Sequence, residues 1–129
     1  MTVALLSPSP RREKKWRVKI EGRAIDFGSS QYEDFTIHKD CRRMVMYLVR
    51  HQAMPKAKVS QLREGSHTCK EVTKEALAFS ASKSEHWNDP LTPGFWSRWL
   101  LWSHPSMEAA IKEIEKRFGI KVVPQKKAS

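Results

Sequence analysis

The sequence predicts an α+β domain: a small antiparallel sheet of two to three strands packed against three to four helices, with basic flexible tails. Three observations carry this. Residues 15–28 alternate apolar and polar side chains, the period of half-buried strands. Later segments repeat apolar residues at helical spacing, and Lys and Arg gather at both ends. A length of 129 residues fits one domain, and 24 Lys plus Arg against 14 Asp plus Glu leave a net charge of +10.

The expected organisation is an arm at 1–14, a domain at 15–123 with an insertion at 53–86, and a basic tail at 124–129. Pro8 and Pro10 oppose regular structure in the arm, and Arg11, Arg12, Lys14 and Lys15 make it cationic. Trp16, Val18 and Ile20 then alternate with Arg17 and Lys19 in a first strand. Glu21-Gly22 supplies a turn, and Ile25 and Phe27 continue the apolar face on the return strand. The polar face of this ribbon carries Arg17, Lys19 and Arg23. Cys41, Met44, Val45, Leu48 and Val49 recur at i, i+3, i+4, i+7 and i+8, which predicts a helix over about 38–52 with Asp40 at its N-cap. Arg42, Arg43 and Arg50 lie off that stripe. A basic connection with Lys56, Lys58 and Arg63 follows, then a helix opened by the capping box Thr68-Cys69-Lys70-Glu71, with Val72, Ala76 and Phe79 inward.

Residues 80–91 read as a loop, where Trp87 is the tryptophan expected to be exposed at an interface. Thr92 and Pro93 start an aromatic helix that carries Phe95, Trp96, Trp99 and Trp102. Its one cation, Arg98, belongs on the wet side or stacked on an indole. Ser106 caps a helix over about 107–118, with Met107, Ala110, Ile111, Ile114 and Phe118 inward and Gly119 as a left-handed C-cap. The short alternating segment 120–123 predicts a strand added to the hairpin. The expected core is Trp16, Phe27, Leu48, Phe95, Trp96, Trp99, Trp102, Ile111, Ile114 and Phe118, although a domain of this size cannot fully bury all five tryptophans.

Several chemistries find no support in the sequence. His38 with Cys41 and His67 with Cys69 offer zinc-ligating residue types, but neither pair has the C-x-x-C spacing, and Cys41 falls on an apolar stripe. No phosphate-cradling glycine loop or nucleophile elbow is present, so no catalytic residue, cofactor, metal or small-molecule substrate is expected. Two cysteines are too few for a disulfide framework, which favours a reducing compartment. The apolar patch at Val3 to Leu6 precedes the basic run, the reverse of a secretory leader, and no stretch approaches the roughly 20 apolar residues of a membrane span. The basic balance favours an acidic partner. The candidate protein- or nucleic-acid-binding residues are Arg11, Arg12, Lys14, Lys15, Arg17, Lys19, Arg23, Arg42, Arg43, Trp87 and Arg98.

Further segments carry a resemblance. They are Phe27-Gly28, Tyr32-x-Asp34-Phe35-Thr36-x-His38-Lys39-Asp40, Arg42-Arg43, Tyr47, Arg50-His51, Trp87-Asn88-Asp89-Pro90-x-Thr92-x-Gly94-Phe95-Trp96-Ser97-Arg98-Trp99-Leu100-Leu101-Trp102 and Pro105-Ser106. Together they resemble a small family of uncharacterised proteins encoded by large double-stranded DNA viruses of eukaryotes, over roughly residues 15–120. The spacer from His51 to Trp87 departs from that pattern by its length, which marks the insertion. The resemblance implies a viral protein made in the host cytoplasm. Two roles fit: a non-enzymatic minor capsid or internal virion protein that binds neighbours such as capsid protein through basic arms and exposed aromatics, or a sequence-independent DNA-binding protein of the same virus.

Overall fold

Glu21 and Gly22 close the expected hairpin with φ of 49° and 74°, the left-handed pair that a two-residue turn needs to match strand twist. They join β2 (Lys14–Ile20) to β3 (Arg23–Ser29), with Trp16 opposite Phe27 and Val18 opposite Ile25. The computed structural model describes residues 2–55, 57–59, 68–82 and 85–125. Two further strands, β1 (Thr2–Pro8) and β4 (Ile120–Pro124), complete one sheet in the order β3-β2-β1-β4.

The sheet corrects two expectations. The arm expected at 1–14 is, over Thr2–Pro8, an inner strand with partners on both sides. The sheet has four strands and is mixed: β1 runs antiparallel to β2 but parallel to β4, with Thr2 opposite Ile120 and Ala4 opposite Val122. The strand at 120–123 therefore joins the sheet through β1, not beside the hairpin. Of the tail, Pro124 ends β4 and Gln125 N–H donates to the Leu6 carbonyl at 2.7 Å. Residues 126–129 lie outside the described residues, as do Lys56, Arg63 and His67.

The helices begin where local chemistry places their caps. A short α1 (Phe35–His38) starts at Asp34, and α2 (Cys41–Arg50) starts at Asp40, whose carboxylate accepts from the Arg42 N–H at 2.9 Å. The helix expected over about 38–52, with Asp40 at its N-cap, is α2, and the short α1 before it is an additional element. Thr68 caps α3 (Cys69–Ala76), and Thr92 caps α4 (Pro93–Trp96), which has Pro93 at its first position. The chain then widens into a π-helical turn at Ser97–Leu101 before Ser106 caps α5 (Met107–Phe118). Gly119 ends α5 at φ 68°.

The Trp-rich turn is apolar most of the way round, so most of its surface must be covered. Phe95, Trp96, Trp99, Leu100 and Leu101 are all buried, packed with Leu6, Val18, Ile20, Phe27 and Ile114 into the main core. A second cluster joins Phe35, Met44, Val45, Tyr47, Leu48, Val72 and Trp87, and Trp102 packs against both. Among the expected core residues, Phe27, Leu48, Phe95, Trp96, Trp99 and Ile114 are buried, while Trp16, Trp102, Ile111 and Phe118 are half-buried. Not all five tryptophans are enclosed, as expected.

Trp87 is a further correction. It is 1% exposed, stacked at 6.0 Å on Tyr47, and its carbonyl accepts from the Trp99 indole at 2.7 Å. Arg98 is also buried, not on a wet side. Its guanidinium lies 4.7 Å from the Trp99 ring centre and 5.4 Å from that of Trp87, so the expected stacking on indole holds. Cys41 and Cys69 are bonded to each other as a disulfide with Cα atoms 5.7 Å apart, so Cys41 is not the free apolar side chain its stripe implied.

Candidate functional site

Helix α2 has two faces of different chemistry. Met44, Val45 and Leu48 face the core, while Arg43, Met46 and Arg50, at i, i+3 and i+7, share the exposed side with Arg42. The hairpin's open end, where β2 begins and β3 ends, brings Lys14, Lys15 and Ser29 to the same place. Between them lies a cleft of about 1070 Å³ with Phe27, Leu101 and Trp102 among its lining and Met46 and Tyr32 also on it.

Five cations line this cleft, Lys14, Lys15, Arg42, Arg43 and Arg50, against three carboxylates, Glu33, Asp34 and Glu85. Asp34 and Glu33 each lie against a cation, whereas Glu85 pairs only with His51 among the described residues. Asp34 is buried, accepts from Lys15 Nζ at 2.7 Å and caps α1 through the Thr36 N–H at 2.9 Å and the Thr36 hydroxyl. Glu33 lies 4.0 Å from Arg43, and Glu85 lies 3.8 Å from His51 Nδ1. Burial, opposed by Glu85, pulls the His51 pKa below its ordinary value, so at neutral pH His51 adds no charge. Lys14, Arg42 and Arg50 have no carboxylate partner among the described residues, which leaves the cleft cationic.

An aromatic stack supports the floor. Trp102 lies parallel to Tyr47 at 4.5 Å, and His38 tilts against Trp102 at 5.4 Å. Burial pushes the Tyr47 phenol above its usual range, so it stays neutral as a hydrogen-bonding group. Backbone fit matters as well. Gly28 has φ +79°, a conformation that strains other residues, and a Cβ there would come within 2.8 Å of Leu101 Cδ1, so the end of β3 packs closely on the π-helical turn.

The candidates from sequence fall into three groups. Lys14, Lys15, Arg42 and Arg43 meet at the cleft. Arg11, Arg12, Arg17, Lys19 and Arg23 do not line it: Arg11 pairs with Glu13, and Arg17 donates to both Asp26 oxygens at 2.8 and 2.9 Å on the opposite face of the sheet. That bidentate pair holds the Asp26 carboxyl below its usual range. Trp87 and Arg98 are internal and cannot meet a partner. Arg50 belongs to the site but was absent from the candidates, although its i+7 spacing from Arg43 was visible. Tyr32 and Tyr47 carried no signal beyond the resemblance.

Among the described residues no group of three His, Cys, Asp or Glu could hold an ion. No helix among them is long and apolar enough to cross a membrane. Residues 4–51 match a family of unknown function (DUF5754). That stretch contains most of β1, all of β2, β3, α1 and α2, and hence all five cleft cations, but neither the Trp-rich turn nor β4. No curated protein and no solved structure matches the chain.

Proposed function

We propose that the chain is a non-enzymatic, sequence-independent nucleic-acid-binding protein of a large double-stranded DNA virus. The observation that carries this is convergence: cations from residues 14–15 and from 42–50 line one cleft, where five Lys and Arg side chains outnumber three carboxylates. Clustered cations suffice to neutralise phosphates and release counterions, with no base edge being read. The viral setting rests on the resemblance of the Phe95–Trp102 block and its companion segments. The test is a titration of the purified chain with duplex and single-stranded DNA at two salt concentrations. Log K falling steeply with log salt is expected. No measurable binding to either DNA near physiological salt would remove the reading.

A second reading, a structural role in the virion beside capsid protein, is favoured by one different observation. The face of the sheet opposite the core leaves Val3 47% and Leu5 38% exposed, with Val123 beside Leu5. Such a face fits a protein neighbour better than a phosphate chain. This role no longer leans on an N-terminal arm, because that segment is β1. Mass spectrometry of purified virions tests it, and absence from particles would end it.

A further inference from the structure

We infer that the cleft takes a single strand of nucleic acid, with Tyr32 as the platform on which a base stacks; this rests on the nucleic-acid reading and narrows its ligand. Among the described aromatic rings that line the cleft, Phe27, Tyr47, His51 and Trp102 each lie against another ring of the fold. Tyr32 does not. It is 70% exposed, its backbone N–H donates to the Ser29 carbonyl at 3.4 Å, and it lines the same cleft as Lys14 and Arg50, which have no carboxylate partner among the described residues. A solvated ring with a free face, in one cleft with such cations, matches the two demands of a single strand, phosphate charge and an unstacked base. A duplex offers only phosphates here, because its bases are already stacked and the cleft's apolar floor is recessed. The floor of Leu101 and Trp102 can be reached by a flexible strand that has splayed its bases out.

The experiment uses the full chain, a fluorescent oligo-dT, which cannot pair with itself, and a duplex of equal length. Anisotropy is read at low and moderate salt for the wild type, Tyr32→Ala, Tyr32→Phe and Arg50→Ala. Tyr32→Ala is expected to weaken oligo-dT binding by about 5- to 100-fold, as stacking on one ring implies, and to leave duplex binding unchanged. Tyr32→Phe should restore it, since the ring and not the hydroxyl is needed. Arg50→Ala should weaken both ligands and flatten the salt dependence by about one phosphate. Melting curves for each variant should match the wild type, because both side chains are exposed. Oligo-dT binding untouched by Tyr32→Ala, or an equal loss on duplex, overturns the stacking role while the nucleic-acid reading stands. No binding of either probe to the wild type overturns both.

Discussion

Arg98 donates from its guanidinium to the backbone carbonyl of Ala76 at 2.9 Å, spanning from the π-helical turn to the end of α3. The same group reaches the carbonyls of Phe79 at 3.1 Å and Trp102 at 2.8 Å. Among the described residues no carboxylate forms an ion pair with it. Carbonyl dipoles at a helix C-terminus and two indole faces hold the charge instead. Burial lowers its pKa to about 10, still far enough above neutrality to keep it charged.

Arg98→Lys should therefore destabilise the fold by about 2–4 kcal/mol, because one ammonium cannot reach three separated carbonyls and leaves buried acceptors unmade. Chemical denaturation checks this, and a lysine variant as stable as the wild type would refute the stapling role.

Trp99 is enclosed between Arg98 and Arg117, whose guanidinium lies 4.3 Å from its ring centre, and its N–H is used by Trp87. Trp99→Ala should cost on the order of 3–5 kcal/mol, the usual range for emptying a site of this size. A variant melting near the wild-type temperature would contradict that placement.

Two histidines give stability a pH dependence. His38 Nδ1 accepts from the Asp40 N–H at 2.9 Å, next to the α2 cap, and burial lowers its pKa from an ordinary 6.5, assisted by Arg43 and opposed by Asp40, Asp34 and Glu33. Burial lowers His51 in the same sense. The unfolded chain then binds protons more readily than the folded one, so stability is fully present above pH 6.5 and is lost as pH falls through the folded values. Denaturant midpoints should drop between pH 7.5 and 5.5. His38→Asn, which keeps an acceptor near the Asp40 N–H, should flatten part of that drop.

The Cys41–Cys69 disulfide ties the first residue of α2 to the first residue of α3 across 28 positions. A loop of that length corresponds to about 3–4 kcal/mol of lost unfolded-state freedom. Treatment with a dithiol, or Cys69→Ser, should lower the melting temperature accordingly, and thiol counting before and after treatment confirms the bond. Unchanged melting after complete reduction would show that the second core holds without it.

Local signals were legible in the sequence and distant ones were not. Asp40, Thr68, Thr92-Pro93, Ser106 and Gly119 act on the next few residues, so their caps could be read directly. The strand β1 could not. Its outward residues Val3 and Leu5 are as apolar as its inward Ala4 and Leu6, which erases the alternation that marks a half-buried strand. Burial of Trp87 and Arg98 depends on Tyr47, α3 and the Trp-rich turn meeting in space, and nothing near either residue announces that. The candidate site shows the same division. The cationic face of α2 is a matter of spacing, but its opposition to Lys14 and Lys15 is set by the fold. The disulfide joins residues too far apart for their spacing to carry meaning.

The parallel pairing of Thr2 with Ile120 sets an order of events for biosynthesis. A nascent chain cannot give β1 its second neighbour until residues 120–124, far later in the sequence, have left the ribosome. Until then one long apolar edge stays open, a hazard for self-association and a natural client surface for chaperones. Shortening the chain before residue 120 would make that passing exposure permanent.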